Sequence, residues 1–134
     1  METTLLTVHT GGVEGVLDLT GRCRSFVAGH GDGLLHVFVP HATAGLAVLE
    51  LGAGSDDDLL HALSDLLPAD DRWRHQHGSR GHGRSHVLPA LIPPYASIPV
   101  IDGELALGTW QSVALIDLNL DNPVRQVRLS FLPG

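Results

Sequence analysis

The sequence has no lysine; its eight basic side chains are all arginine. A Schiff-base mechanism therefore has no candidate side chain. Cysteine occurs once, at Cys23. A single thiol excludes an internal disulfide and any CxxC pair, and it fits a reducing compartment. No His or Asp stands beside Cys23 in its segment, so it reads as a small buried side chain rather than a nucleophile. Aromatic residues make up only 4%, which leaves Leu, Val, Ile and Ala to build the core. No stretch approaches the roughly 20 apolar residues of a membrane helix. The opening "METTLLTVHT" lacks the basic start and apolar run of a signal peptide, so a cytoplasmic protein is expected. Positive charge is scarce: fifteen acidic against eight basic residues give a formal charge of −7. Binding to nucleic acid or anionic membrane needs clustered Lys and Arg, so neither partner is expected. GxSxG, P-loop and GxGxxG patterns are absent.

No repeat or long linker divides the 134 residues, and 1–134 is expected to form one domain. Hydrophobic residues reach 43%, enough for a real core. The alternation in 3–9, 15–20, 33–40 and 45–51 predicts strands. Segments 104–118, around Gly108, and 124–132 supply further strands. Thr20 is placed to cap a short helix toward Gly29. "SDDDLLHALSDLLP" (55–68) predicts a helix with Ser55 as N-cap, three aspartates at the positive end of its dipole, and Pro68 as its stop. Residues 69–85 are polar and Gly-rich and read as a loop, with a short helix expected over 84–91. Pro93, Pro94 and Pro99 punctuate the stretch that follows. Successive strands with short connections predict an α+β domain with an antiparallel sheet.

Histidine is the abundant polar residue: nine in all, with His61, His75, His77, His82 and His86 inside 26 positions. Imidazole is the commonest neutral metal ligand and the natural acid–base group near pH 7. His41 lies in "VPHATAGLAVLE" (39–50), at the end of a strand-like run that closes on Glu50. His41, His75 and His86 have no short helical metal spacing such as HExxH. They form a site only if separate elements converge; otherwise His75, His77 and His82 are surface histidines and His41 is a satisfied core or turn residue. Arg72, Arg74, Arg80 and Arg84 share the loop with these histidines and offer either a small-anion site or a solvated surface. In "DGELALGTWQ" (102–111), Trp110 can stack on a flat ligand and Gln111 can orient one; a core tryptophan beside an ordinary hairpin is the plain alternative.

Several blocks together resemble the YjbQ-like family, whose members are described as secondary thiamine-phosphate synthase enzymes. "GLLHVFVPHATAGLAVLE" resembles the family block "Gl..vf.pHtTa.l.inE". "WRH" (73–75) resembles an aromatic-x-His step, "HGRSH" (82–86) stands where "NAxAH" is usual, and "IPVIDGELALGTWQSVALID" (98–117) resembles "ipv.dG.l.lGtWQ.i.l.E". The resemblance covers nearly the whole chain. It implies an α+β fold with an antiparallel β-sandwich core and two to three helices, assembled as a homotrimer. It implies a site of His41, His75 and His86 with Glu50 and Gln111 near it. It also implies a weak ability to join a pyrimidine pyrophosphate to a thiazole phosphate. His82 and Gly83 replace the usual Asn and Ala. Asp117 stands for a glutamate, and only Arg125 matches one of two paired arginines, with Arg84 or Arg128 as substitutes in an anion site.

Three readings follow. The first is an enzyme acting on a small anionic or phosphorylated metabolite, with a divalent metal on His41, His75 and His86. Three imidazoles favour zinc over magnesium, which prefers oxygen. In that reading Glu50 orients or assists a histidine, and Arg84, Trp110 and Arg125 contact ligand. The second is a metal- or metabolite-binding module without turnover. The third is a structural trimer with histidines lining an interface.

Overall fold

The computed structural model describes residues 1–134, folded as two antiparallel sheets and three helices. The strands are β1 (Glu2–His9), β2 (Gly15–Asp18), β3 (Gly33–Phe38), β4 (Ala44–Leu49), β5 (Tyr95–Ile101), β6 (Glu104–Leu105), β7 (Ser112–Asp117) and β8 (Val124–Pro133). The helices are α1 (Thr20–Val27), α2 (Ser55–Leu66) and the single-turn α3 (Leu88–Leu91). A five-stranded sheet runs β1-β8-β3-β5-β6, and a three-stranded sheet runs β2-β7-β4. This is the expected α+β domain.

The main core lies between the sheets. Leu35, Val37, Ile98, Val100, Val127 and Leu129 from the large sheet meet Leu46, Val113 and Leu115 from the small one. Helix α1 closes this layer with Cys23 and Val27, both fully buried. The small sheet is covered on its other face too: Ala114, Ile116 and Leu118 pack on Leu63 of α2, on Leu67 just past its end and on Leu88 of α3. Strand β7 is therefore sandwiched on both sides, which explains why "SVALID" reads as a continuous apolar run instead of alternating. Burial also pushes the Cys23 thiol pKa up to about 12, keeping it an inert core side chain.

Local details differ from the sequence expectations for identifiable reasons. Thr20 does not cap α1; Asp18 Oδ1 accepts its N–H at 2.9 Å, and Thr20 Oγ1 accepts the N–H of Val113. Helix α2 begins after Gly54, in the left-handed region, so Ser55 is its first residue rather than its cap. The helix expected over 84–91 is split: a 3-10 turn spans His82–His86 and α3 spans Leu88–Leu91. Strand β5 is an addition, because its prolines hid it. The carbonyl of Pro99 accepts from Ala106, so the ring nitrogen faces the same side, toward the two-residue β6. The missing N–H thus falls on the weak edge, where a strand tolerates proline.

Candidate metal centre

The small sheet has two ends, and they sort the candidate residues. Gly15 of β2, Asp117 of β7 and Ala44 of β4 are in register at one end; Ser112 and Leu49 pair at the other. Strand β4 spans roughly 20 Å at about 3.3 Å per residue.

The histidine loop (residues 69–86) closes over the Asp117 end. Arg84 anchors it there. This side chain is buried, donates to the carbonyl of Leu67 at the end of α2, and pairs with Glu14 just before β2. Trp73 Nε1 donates to the carbonyl of Pro68 at 2.9 Å and fixes the loop's entry. Gly83 lets the two limbs touch: a Cβ there would lie 2.4 Å from Trp73 Cβ and 2.5 Å from the His75 carbonyl. The sequence departure at this position is thus a packing requirement of this loop.

This folding gathers four imidazoles. One ligand nitrogen from each of His75, His77, His82 and His86 lies within 4.8 Å of all the others. His82 Nε2 is 3.0 Å from His86 Nε2, and His75 Nε2 meets His77 Nε2. The rings of His75 and His86 are 3.8 Å apart between centroids, and those of His77 and His82 are 4.8 Å apart. Tetrahedral zinc with N ligands at about 2.05 Å has its donors about 3.3 Å apart. The observed donor spacings bracket that value, so the set fits a divalent transition metal with imidazole affinity, not magnesium. Burial pushes the pKa values of His75 and His86 down, and the neighbouring imidazoles push them further. Both effects favour the neutral ring, which is the form that binds metal. Asp121, on the β7–β8 connection, lies 2.9 Å from the buried Nδ1 of His82. A cleft of about 310 Å³ opens beside the cluster, walled by Asp70, Asp71, Trp73, Arg80, His75 and His82.

His41 is not in this cluster. Its Nε2 accepts the backbone N–H of Gln126 at 2.9 Å. Strand β3 ends at Phe38, opposite Arg128, and the His41 side chain continues the ladder where the backbone has turned away. Burial is the main cause that lowers the His41 pKa, the nearby Arg125 adds to it, and Asp117 acts in the opposite direction. The expected trio of His41, His75 and His86 is not gathered within one chain: His75 and His86 lie with His77 and His82, while the His41 ring accepts from the Gln126 backbone.

The other expected ligand contacts also change. Arg125 is fully buried and grips Asp117 at both carboxylate oxygens, at 2.7 and 2.9 Å, while donating to Thr43. Arg84 is committed to Glu14 and Leu67. Neither guanidinium faces the cleft beside the histidines as an anion receptor. Glu50 is exposed just past β4, at the far end of the sheet from His41, and so it cannot orient that ring within one chain. Gln111 closes a turn with its own backbone and side chain: its N–H reaches the Gly108 carbonyl, and its Oε1 accepts the Gly108 N–H at 2.8 Å. Trp110 rides on that turn, 72% exposed. No helix is long and apolar enough to cross a membrane.

Fold and cluster together define an α+β domain with a four-histidine cluster held at one end of a small antiparallel sheet. The comparisons give the lineage: residues 4–134 match the family model described as UPF0047 protein YjbQ-like, and the chain belongs to that family. UPF0047 protein Rv2556c of Mycobacterium tuberculosis is 56% identical over 134 residues, covering all of both chains. UPF0047 protein YugU of Bacillus subtilis is 27% identical over 104 residues, 73% of this chain and 75% of that one. Among solved structures, hypothetical protein APE1520 from Aeropyrum pernix K1 superposes with a TM-score of 0.89 at 34% identity, covering 100% of each chain. A YbjQ-like protein of unknown function (SSO2532) from Sulfolobus solfataricus P2 gives 0.91 at 23% identity, covering 99% of this chain and 97% of that one, and it shares the fold.

Proposed function

We propose that this protein is a metalloprotein holding one divalent transition metal, zinc by preference, on His75, His77, His82 and His86. The observation that carries this is the convergence of four imidazole nitrogens within 4.8 Å. Uncharged rings packed nitrogen to nitrogen gain little from one another, whereas a shared cation satisfies all four lone pairs. Two of the four, His75 and His77, are exposed and border the outside. The ion would sit where the cleft can reach it.

The enzymatic reading builds on this centre. In joining a pyrimidine pyrophosphate to a thiazole phosphate, positive charge must meet the departing pyrophosphate. A bound divalent ion would supply Lewis-acid charge there. With Arg84 and Arg125 committed to buried pairs and Arg72 held by Asp70, Arg74 and Arg80 are the loop cations left for an anionic metabolite. Arg80 is held only by a 3.3 Å contact with Asp71, between two exposed side chains. What supports this chemistry is the family resemblance and the cleft beside the cluster. Four protein ligands, however, fill a tetrahedral zinc shell, a pattern of closed sites. Metal binding without turnover is therefore the second reading, favoured by that full shell.

A homotrimer is part of the same proposal. It is supported by the resemblance and by the outer face of the large sheet, where Leu34, Phe38, Tyr95 and Leu132 are all at least 39% exposed. The row His36, Ser97 and Ser130 separates the Leu34–Leu132 pair from the Phe38–Tyr95 pair, so the face mixes apolar and polar groups, as an association surface does. Light scattering at micromolar concentration tests it; a monomer in dilute and concentrated solution alike rejects it.

The test of the metal is elemental analysis of untagged protein, with the His82→Ala/His86→Ala double variant beside it. Near-stoichiometric zinc in the parent, absent from the variant, is the expected result. No metal in either after reconstitution would overturn the proposal.

A further inference from the structure

The His82 ring is the most buried of the four, its side chain 5% exposed, and its Nδ1 is a buried polar atom without an aligned hydrogen bond. Only Asp121 Oδ2 stands beside it, at 2.9 Å. That carboxylate is itself fastened: Ser79 donates to it from its backbone N–H at 3.1 Å and from its hydroxyl at 2.9 Å. Gly78, at φ +77°, brings the loop in close; a Cβ there would meet Asp121 Oδ2 at 2.7 Å.

Asp121 is also tied back to the core by a chain of side-chain turns. Asn119 Oδ1 accepts the Asp121 N–H at 2.8 Å, and Asp117 Oδ1 accepts the Asn119 N–H at 2.9 Å. Asp117 is the partner of Arg125. A run of alternate polar residues thus leads from a sealed ion pair to the edge of the histidine cluster.

We propose that Asp121 is a positioning residue for the centre, holding the His82 proton on Nδ1 so that the Nε2 lone pair faces the other imidazoles. A carboxylate behind a ligating histidine fixes the tautomer and raises ligand basicity, and losing it costs typically 10–100-fold in metal affinity. Ser79 holds the carboxylate, and Asn119 holds the Asp121 backbone. His82 and Asp121 act as one unit, and the resemblance places neither of them in the site. The inference rests on the metal reading above, but its central claim, the tautomer, is measurable without metal.

The experiment uses the full chain. Long-range nitrogen–proton NMR on the metal-free protein reads the His82 tautomer in the parent, Asp121→Asn and Asp121→Glu. A Co(II) titration followed by visible absorption reads the affinity of the same three proteins. The expected result is an Nδ1–H tautomer in the parent, its loss in Asp121→Asn with Co(II) affinity down 10–100-fold, and partial recovery in Asp121→Glu. If Asp121→Asn does not fold, Ser79→Ala loosens the same clamp and should shift both readouts the same way. An unchanged tautomer and affinity in the variants would overturn the inference. A parent that binds no Co(II) but shows the Asp121-dependent tautomer would sink the metal reading and leave the positioning claim standing.

Discussion

Arg125 and Asp117 form a two-point ion pair that is sealed from water, with side chains 1% and 0% exposed. The pair joins β7 to β8 across the seam between the two sheets. Its second guanidinium contact, to Thr43, brings in the β3–β4 connection that carries His41. A charge committed this deeply is a structural clamp, whatever its position in a motif.

Removing one partner should be costly. Arg125→Ala leaves Asp117 buried and uncompensated, a change worth about 3–5 kcal/mol. Urea unfolding should show that loss, with inorganic phosphate binding no different from the parent's. A variant of near-parental stability and lost phosphate affinity would restore Arg125 to ligand binding.

His41 should make stability depend on pH. Its pKa is depressed in the fold, while the unfolded chain titrates near about 6.5. The unfolded state thus takes up the proton first. The His41 contribution is fully present above that ordinary value and is lost as pH falls from it through the folded value. Denaturant unfolding of metal-free parent and His41→Gln at pH 7.5 and 5.5 checks this. The parent should lose more stability on acidification than the variant, and equal losses would contradict the sign.

His41 should also be dispensable for metal. His41→Ala is expected to retain the zinc stoichiometry of the parent, because its ring serves Gln126. Loss of zinc in a folded His41→Ala protein would bring this histidine back into the ligand set.

Gly83→Ala should disturb the centre without replacing a ligand. The added methyl overlaps Trp73 and the His75 carbonyl, an overpacking cost of about 1–3 kcal/mol. The limb carrying His75 must then shift, so Co(II) affinity should fall along with Tm. Unchanged values for both would show that the loop yields freely.

Trp110→Ala should leave thermal stability within about 0.5 kcal/mol of the parent, since the ring is largely in solvent. A larger drop in the assembled protein would place Trp110 in a subunit contact.

Much of the fold was legible because alternation and short turns mark antiparallel strands directly. The exception, β5, carries proline at a position whose N–H no neighbour needs, and sequence alone does not tell which edge a strand will occupy. Helix α2 was clear from its leucine spacing and aspartates, although its first turn starts from a left-handed glycine. His75 and His86 were recoverable through the resemblance. His77 and His82 read as surface residues, since an HxH step and an HxxxH step mean little until a glycine-rich loop folds them inward. The intrachain partners of Arg84 and Arg125 were not legible, because local patterns do not show them. Glu14 lies seventy residues from Arg84, and Asp117 lies across a turn from Arg125.

The alternate polar residues at 117, 119 and 121 have a consequence for what the lineage can alter. Each link in that chain is a two-residue step, so its reach is counted in pairs. One inserted or deleted residue between Asp117 and Asp121 would leave the composition nearly intact yet turn the carboxylate to the opposite side, away from His82. The length of this connection is therefore inherited information as much as its residues are, and divergence there should proceed by substitution rather than by gaps.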